Sequence, residues 1–292
     1  METTSTAPHD TGSGPDEGGD GWASRFGRIV RSPLGWMLTG MVGVGLVSGL
    51  TATGPGPVPA LGAAAAVAVY WAVMRFVARR ATPEIARRGA GREALLGCAI
   101  GLGFILVSAL LITALGGYTF SWAGNGFVSV VWSAVMVQIG AAVTEELLFR
   151  GLALQALEQL WGSRAAVAIT GLFFGVAHLG APGASGRSLV AIALEAGVML
   201  GAAFLWRRSI WFVVGLHFAW NTVEQLLGVP VSGHTPEALY TVDVHGSTLL
   251  TGDGFGLETS IVPIVLGVLI TVPMVVLARR SGRLLPRRRA RH

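Results

Sequence analysis

Two adjacent carboxylates and an arginine interrupt a long apolar run in Thr144-Glu145-Glu146-Leu147-Leu148-Phe149-Arg150. Charged side chains at bilayer depth cost at least ~2.5–3.5 kcal/mol each on insertion scales, so such a cluster marks function before packing. On a helix, Glu146 and Arg150 stand four residues apart and can pair. Glu145 points about 100° away from that pair and has no local partner. Two further polar groups lie in apolar segments. One is Phe174 and His178, in Phe173-Phe174-Gly175-Val176-Ala177-His178. The other is His217, Asn221 and Glu224, whose i, i+4, i+7 spacing puts all three on one helix face.

Depth along the helices predicts that these groups meet. At about 1.5 Å per residue, His178 lies about 21 Å above Arg164, His217 about 14 Å and Asn221 about 20 Å above Arg208. Glu195 lies about 18 Å above Arg207, at the same level. A helix running on through Gly151 to Glu158 places Glu145 about 20 Å above its end. Glu145 then faces the histidines mid-membrane, and Glu195 is expected either to orient His178 or to pair with Arg150.

The composition demands a bilayer. Of 292 residues, 52% are hydrophobic and only 13% charged, with mean hydropathy +0.62; a soluble domain carries about 25% charged residues. The fold class expected is all-α: a polytopic bundle of about eight membrane-spanning helices, each near the ~20 residues that cross the hydrocarbon. The spans fall near Leu34–Thr53, Ala60–Val77, Ala94–Leu115, Phe127–Leu157, Ala165–Leu179, Leu189–Trp206, Ile210–Leu227 and Ile261–Leu277. All 21 basic residues are arginines, and most sit at the ends of apolar runs. That placement is an orientation signal rather than a nucleic-acid footprint, and it puts both termini in the cytoplasm.

Residues 1–32 read as a disordered cytoplasmic tail, polar and without an apolar period. Residues 33–128 supply the first helices, 129–228 the polar core, 229–260 an acidic outer loop, and 261–292 the last span with a basic tail. The Gly197/Gly201 spacing suits close helix approach. The lone Cys98 excludes an internal disulfide.

Glu145-Glu146-x-x-x-Arg150, Phe174-x-x-x-His178 and His217-x-x-x-Asn221, in that order, resemble the three motifs of the CPBP family of intramembrane proteases. That family includes type II CAAX prenyl endopeptidases and relatives linked to bacteriocin self-immunity. The resemblance covers roughly residues 129–228 and implies an intramembrane peptidase acting on a membrane-associated protein or peptide substrate.

The residues suit that chemistry, which needs a water, a base and oxyanion donors. A desolvated Glu145 is the expected base, and His178 holds the water and passes a proton to the leaving amine. His217 and Asn221 donate to the oxyanion. Glu146, Arg150, Phe174, Glu195 and Glu224 support them. Family members are often labelled metalloproteases, and Glu145, His178 and His217 are the zinc ligands if zinc is present. The chain has no HExxH turn, and a metal-free site with no cofactor is the favoured reading.

An ion-coupled transporter using the same acids, or a non-catalytic scaffold, are the competing classes. The absence of lysine, with abundant Arg, Ala and Gly, points to a GC-rich bacterial source and a location in the cell membrane.

Overall fold

The computed structural model describes residues 22–286; the expected N-terminal tail up to residue 21 and the last six residues of the basic tail lie outside it. Nine helices and one small sheet organise the described chain. They are α1 (Trp22–Arg31), α2 (Pro33–Thr51), α3 (Val58–Val77), α4 (Ala90–Ala114), α5 (Phe127–Trp161), α6 (Ser163–Ala177), α7 (Gly186–Arg207), α8 (Ile210–Leu226) and α9 (Ile261–Arg280). Strands β1 (Tyr118–Trp122) and β2 (Tyr240–Val244) pair antiparallel. The tail was expected to run to residue 32, but α1 already occupies Trp22–Arg31.

Six of these helices are long and apolar enough to cross a membrane: α2, α3, α4, α5, α7 and α9. The other two of the eight expected spans are also helical but shorter, α6 with 15 residues and α8 with 17. The protein is a multi-pass helical membrane bundle. On α2, Leu34, Leu38, Val42, Leu46 and Leu50 form an exposed i, i+4 stripe, while Trp36, Gly40 and Val44 face inward. An apolar stripe left exposed at that period is the face such a helix presents to lipid.

Close approach is set by missing side chains. A Cβ on Gly97 would lie 2.0 Å from Phe212 O, one on Gly101 2.2 Å from Leu216 O, and one on Gly215 2.2 Å from Ala94 O. These three glycines let α4 and α8 lie backbone against backbone, the small-xxx-small arrangement of membrane helices. Gly197 on α7 plays the same part, since its Cβ would meet Gly171 Cα of α6 at 2.5 Å. Gly201 meets α6 more loosely, with its Cβ 3.3 Å from Val167 Cγ1.

Besides the end of α3, which is π-helical over Val73–Val77, two longer stretches depart from α geometry. Residues 147–154 of α5 and 193–199 of α7 are π-helical, a form that often accompanies functional sites. The expected continuation of α5 past Arg150 is present, but as a widened helix. Gln155 Nε2 donates to Gly151 O at 2.8 Å, serving a carbonyl of the π stretch of α5.

At the arginine-rich end, side chains tie the connections down. Arg80 pairs with Glu84 at 2.9 Å and donates to Gln155 Oε1 at 3.1 Å. Arg208 pairs with Glu158 at 2.6 Å, and Arg283 donates to the Trp206 carbonyl. At the opposite end, β1 and β2 tie the connection after α4 to the loop after α8, in the register Tyr118↔Val244 to Trp122↔Tyr240. Tyr118 further donates its hydroxyl to the Thr251 carbonyl.

Gly97→Val is expected to destabilise the protein by ~1–3 kcal/mol or more, as overpacking of a closed interface does. Gly103→Ala, whose Cβ meets nothing within 4 Å, is the matched control and is expected to be neutral or slightly stabilising. Thermal unfolding in detergent distinguishes the two; equal midpoints would mean that α4 and α8 are not held by this contact.

Candidate active site

Helix α5 carries the two carboxylates at the start of its π segment. Glu146 is fully buried and pairs with Arg150 Nη1 at 3.0 Å. Arg150, 1% exposed, turns its Nη2 to the Ala196 and Gly197 carbonyls in the π segment of α7. The same guanidinium lies over Phe174, with Cζ 4.9 Å from the ring centroid. Glu146 Oε1 also contacts His217 Nδ1 at 2.9 Å. The expected ion pair is therefore present and extends to a histidine of α8.

A carboxylate oxygen accepts, so His217 Nδ1 carries a proton and Nε2 is the nitrogen left for chemistry. His217 Nε2 lies 4.0 Å from Glu145 Oε2. His178 is fixed by the same logic. Its Nδ1 contacts the Phe174 carbonyl at 2.8 Å, so Nδ1 donates and Nε2 is free. His178 lies at the C-cap of α6, one residue past the helix, where the expectation had it inside the span. Phe174 is the hinge of this packing: its ring stacks on His178 at 4.9 Å and meets His217 edge-on at 6.4 Å.

Glu145, Phe174, His178, His217 and Asn221 line one open cavity of about 300 Å³. Glu145 was expected to be desolvated; its side chain instead remains 31% exposed, because it borders the cavity. Glu195 departs further from expectation. It neither orients His178 nor pairs with Arg150, and neither of its carboxylate oxygens has a hydrogen-bond partner among the described residues. Arg150 turns Nη1 to Glu146 and Nη2 to two backbone carbonyls rather than to Glu195, and its Nε has no hydrogen-bond partner among the described residues. Glu224 lies on the expected face of α8 but outside the cavity lining. It accepts from Trp220 Nε1 at 3.1 Å and contacts Glu258.

Several cavity residues were not anticipated. Gln138 stands two turns before Glu145 on α5 and hydrogen-bonds Gln225 at 2.8 Å; its i−7 spacing was a usable signal. Val231, Ser232, His234, Pro236 and Glu258 come from the loop after α8, where no period marks them. That loop forms one wall of the cavity. Glu258 anchors it by accepting from Ser232 N at 2.9 Å.

The oxygens Glu224 Oε1 and Glu258 Oε2 lack ordinary partners. The two carboxyls approach each other. Burial pushes the Glu258 carboxyl up to about 7, despite the Ser232 N–H and its own backbone N–H, which favour the charged form.

Among the described residues, no three His, Cys, Asp or Glu side chains gather closely enough to hold a metal ion. Glu145, His178 and His217 share the cavity, but they do not form a ligand set as placed. Nδ1 of His217 is engaged with Glu146 and Nδ1 of His178 with the Phe174 carbonyl, which leaves Nε2 of each ring available.

Two predictions concern stability. Arg150→Met strands the buried Glu146 charge and is expected to cost ~3–5 kcal/mol, while Glu145→Gln, at a partly open position, is expected to stay within about 0.5 kcal/mol of the parent. Equal losses in chemical denaturation would contradict the division between them.

The second follows from Glu258. Its folded value lies above the usual carboxylate value, so the folded state holds a proton that the unfolded chain releases. Stability is then full below about pH 4.5, falls as pH rises towards about 7, and levels off above that. Glu258→Gln is expected to flatten the slope between those values; an unchanged profile would remove Glu258 as its source.

Residues 127–223 match the family model for type II CAAX prenyl endopeptidase, Rce1-like. No curated protein and no solved structure matches the chain. The match begins with α5 and ends within α8, taking in Glu145, Glu146, Arg150, Phe174, His178, His217 and Asn221. Over that segment the chain is similar to the CPBP, or CAAX protease, family.

Proposed function

We propose that this protein is an intramembrane endopeptidase that hydrolyses a peptide bond with a water activated by Glu145. The observation that carries this reading is the convergence of Glu145, His178, His217 and Asn221 on one cavity within the segment that matches a protease family. Glu145 takes a proton from water while the hydroxide adds to the scissile carbonyl. His178, through its free Nε2, holds that water and relays the proton to the leaving amine. Asn221 donates its side-chain N–H to the oxyanion of the tetrahedral intermediate. His217 can add a second donor only with both ring nitrogens protonated, since Nδ1–H is committed to Glu146. Glu146 and Arg150 act by positioning.

The metal-free reading rests on the lack of an HExxH turn and on Glu146, the alternative base were Glu145 a ligand, being paired with Arg150. The arginine distribution supports a bacterial cell-membrane location with both termini cytoplasmic. In that orientation the loop walling the cavity faces outward, which favours a membrane-associated or exported peptide precursor as substrate over a cytoplasmic prenylated tail.

Cleavage of reporter peptides by the purified protein in bilayer discs tests the reading. Glu145→Gln is expected to abolish cleavage without unfolding, and Asn221→Ala to lower the rate on the order of 10²–10³-fold, the usual cost of an oxyanion donor. Full activity in Glu145→Gln would sink the assignment of the base. Near-stoichiometric zinc by elemental analysis, with activity lost on chelation and restored by zinc alone, would replace the metal-free mechanism.

A further inference from the structure

At the arginine-rich end, several cations are engaged by the fold. Arg207 pairs with Glu93, Arg208 with Glu158, and Arg283 with the Trp206 carbonyl. Arg164 on α6 and Arg279 on α9 are exposed, and their side chains make no hydrogen bond or ion pair among the described residues. Both line a cavity of about 590 Å³ whose floor is the chain after α9. That floor is fixed in place. Ser163 N donates to Leu285 O at 3.0 Å, Leu285 N donates to Ser163 Oγ at 2.7 Å, and Arg208 donates to the Arg283 carbonyl.

Arg164, Arg279 and Leu284 also line a second groove of about 360 Å³. It rises along α6, α7 and α9 past Val167, Ala168, Val198, Ala202 and Val275, all apolar. The two cavities share their boundary residues and form one cleft, cationic at the helix ends and apolar towards the middle of the span. Trp161 stands at the cationic end, 44% exposed, where indoles settle at the headgroup level.

We propose that this cleft is a binding site for an anionic phospholipid. The phosphate sits between Arg164 and Arg279, and one acyl chain lies along Val167, Ala168, Val198 and Val275. Two guanidiniums with no protein partner complement a phosphodiester and its negative charge, and each presents paired N–H groups suited to phosphate oxygens. A zwitterionic headgroup would bring its own ammonium back against the same two cations. Basic pockets between helices at the cytoplasmic side are suited to anionic headgroups. The apolar groove explains why a lipid, rather than a free phosphodiester, fits the whole cleft. This site lies at the opposite end of α6 from His178, so it is independent of the proteolytic reading.

Native mass spectrometry of the delipidated full chain in neutral detergent tests the proposal. The probes are phosphatidylglycerol, phosphatidylcholine and glycerophosphoglycerol, which has the phosphodiester without tails. One phosphatidylglycerol is expected to be retained at least tenfold more tightly than phosphatidylcholine. Arg164→Gln and Arg279→Gln are each expected to weaken that retention about fivefold, as loss of one membrane-facing cation does. Ala168→Trp, which fills the groove and leaves both arginines, is expected to weaken it as well. Arg280→Gln, exposed outside the cleft, is expected to leave it unchanged.

Equal retention of the two lipids would overturn the site, as would a full phosphatidylglycerol preference in the double Arg164→Gln/Arg279→Gln variant. Glycerophosphoglycerol bound as tightly as phosphatidylglycerol would replace the lipid with a free anion.

Discussion

An arginine held at 1% exposure inside a membrane bundle constrains everything around it. Arg150 must find acceptors for its N–H groups, and water at that depth cannot supply them. Glu146 meets Nη1 and the Ala196 and Gly197 carbonyls meet Nη2, while Nε has no hydrogen-bond partner among the described residues. Both partners depend on irregular helix: Glu146 directly precedes the π segment of α5, and the two carbonyls belong to the π segment of α7. The ion pair thereby clamps α5 to α7. Through Glu146 Oε1 it also fixes the ring of His217 on α8. Three helices are referred to one buried charge pair.

Around that clamp, two devices shape the cavity. Glycine lets α4 press on α8 and α6 on α7, so the helices bearing His217 and Phe174 cannot drift outward. Phe174 then fills the space between the arginine and both histidines with a single ring. On the open side, the loop after α8 folds back and is held by the β1–β2 pairing and by Glu258. The cavity is therefore bounded by membrane helices on one side and by a folded connection on the other.

Much of this was legible because membrane burial makes polar residues conspicuous. Glu145, Glu146, Arg150, His178, His217 and Asn221 each break an apolar run, and helical rise places them at one level. The Glu146–Arg150 pair follows from i, i+4 spacing alone. What escaped was long-range or aperiodic. No local pattern shows that Arg150 would take two backbone carbonyls of α7 and leave Glu195 unpartnered, because that depends on where the π segment of α7 falls. The β1–β2 pairing joins residues more than a hundred positions apart. Ser232 and Glu258 belong to a loop whose composition looked only acidic. The start of α1 at Trp22 lay in a stretch whose polar residues mask an amphipathic turn.

The contrast among the acids bears on which of them can do chemistry. Glu146 is buried and its Oε1 is shared between Arg150 and His217; it has no route to a water and no freedom to turn. Glu195 is as deeply buried, has no hydrogen-bond partner among the described residues and lies outside the cavity lining. Glu224 accepts from Trp220 and Glu258 from Ser232 N, so both are held within the fold. Glu145 alone among these side chains combines partial exposure with a place on the cavity wall and a histidine nitrogen at 4.0 Å. A general base must reach the water it deprotonates. The partial exposure of Glu145, unexpected from its depth in the chain, is thus the property the proposed reaction requires of it.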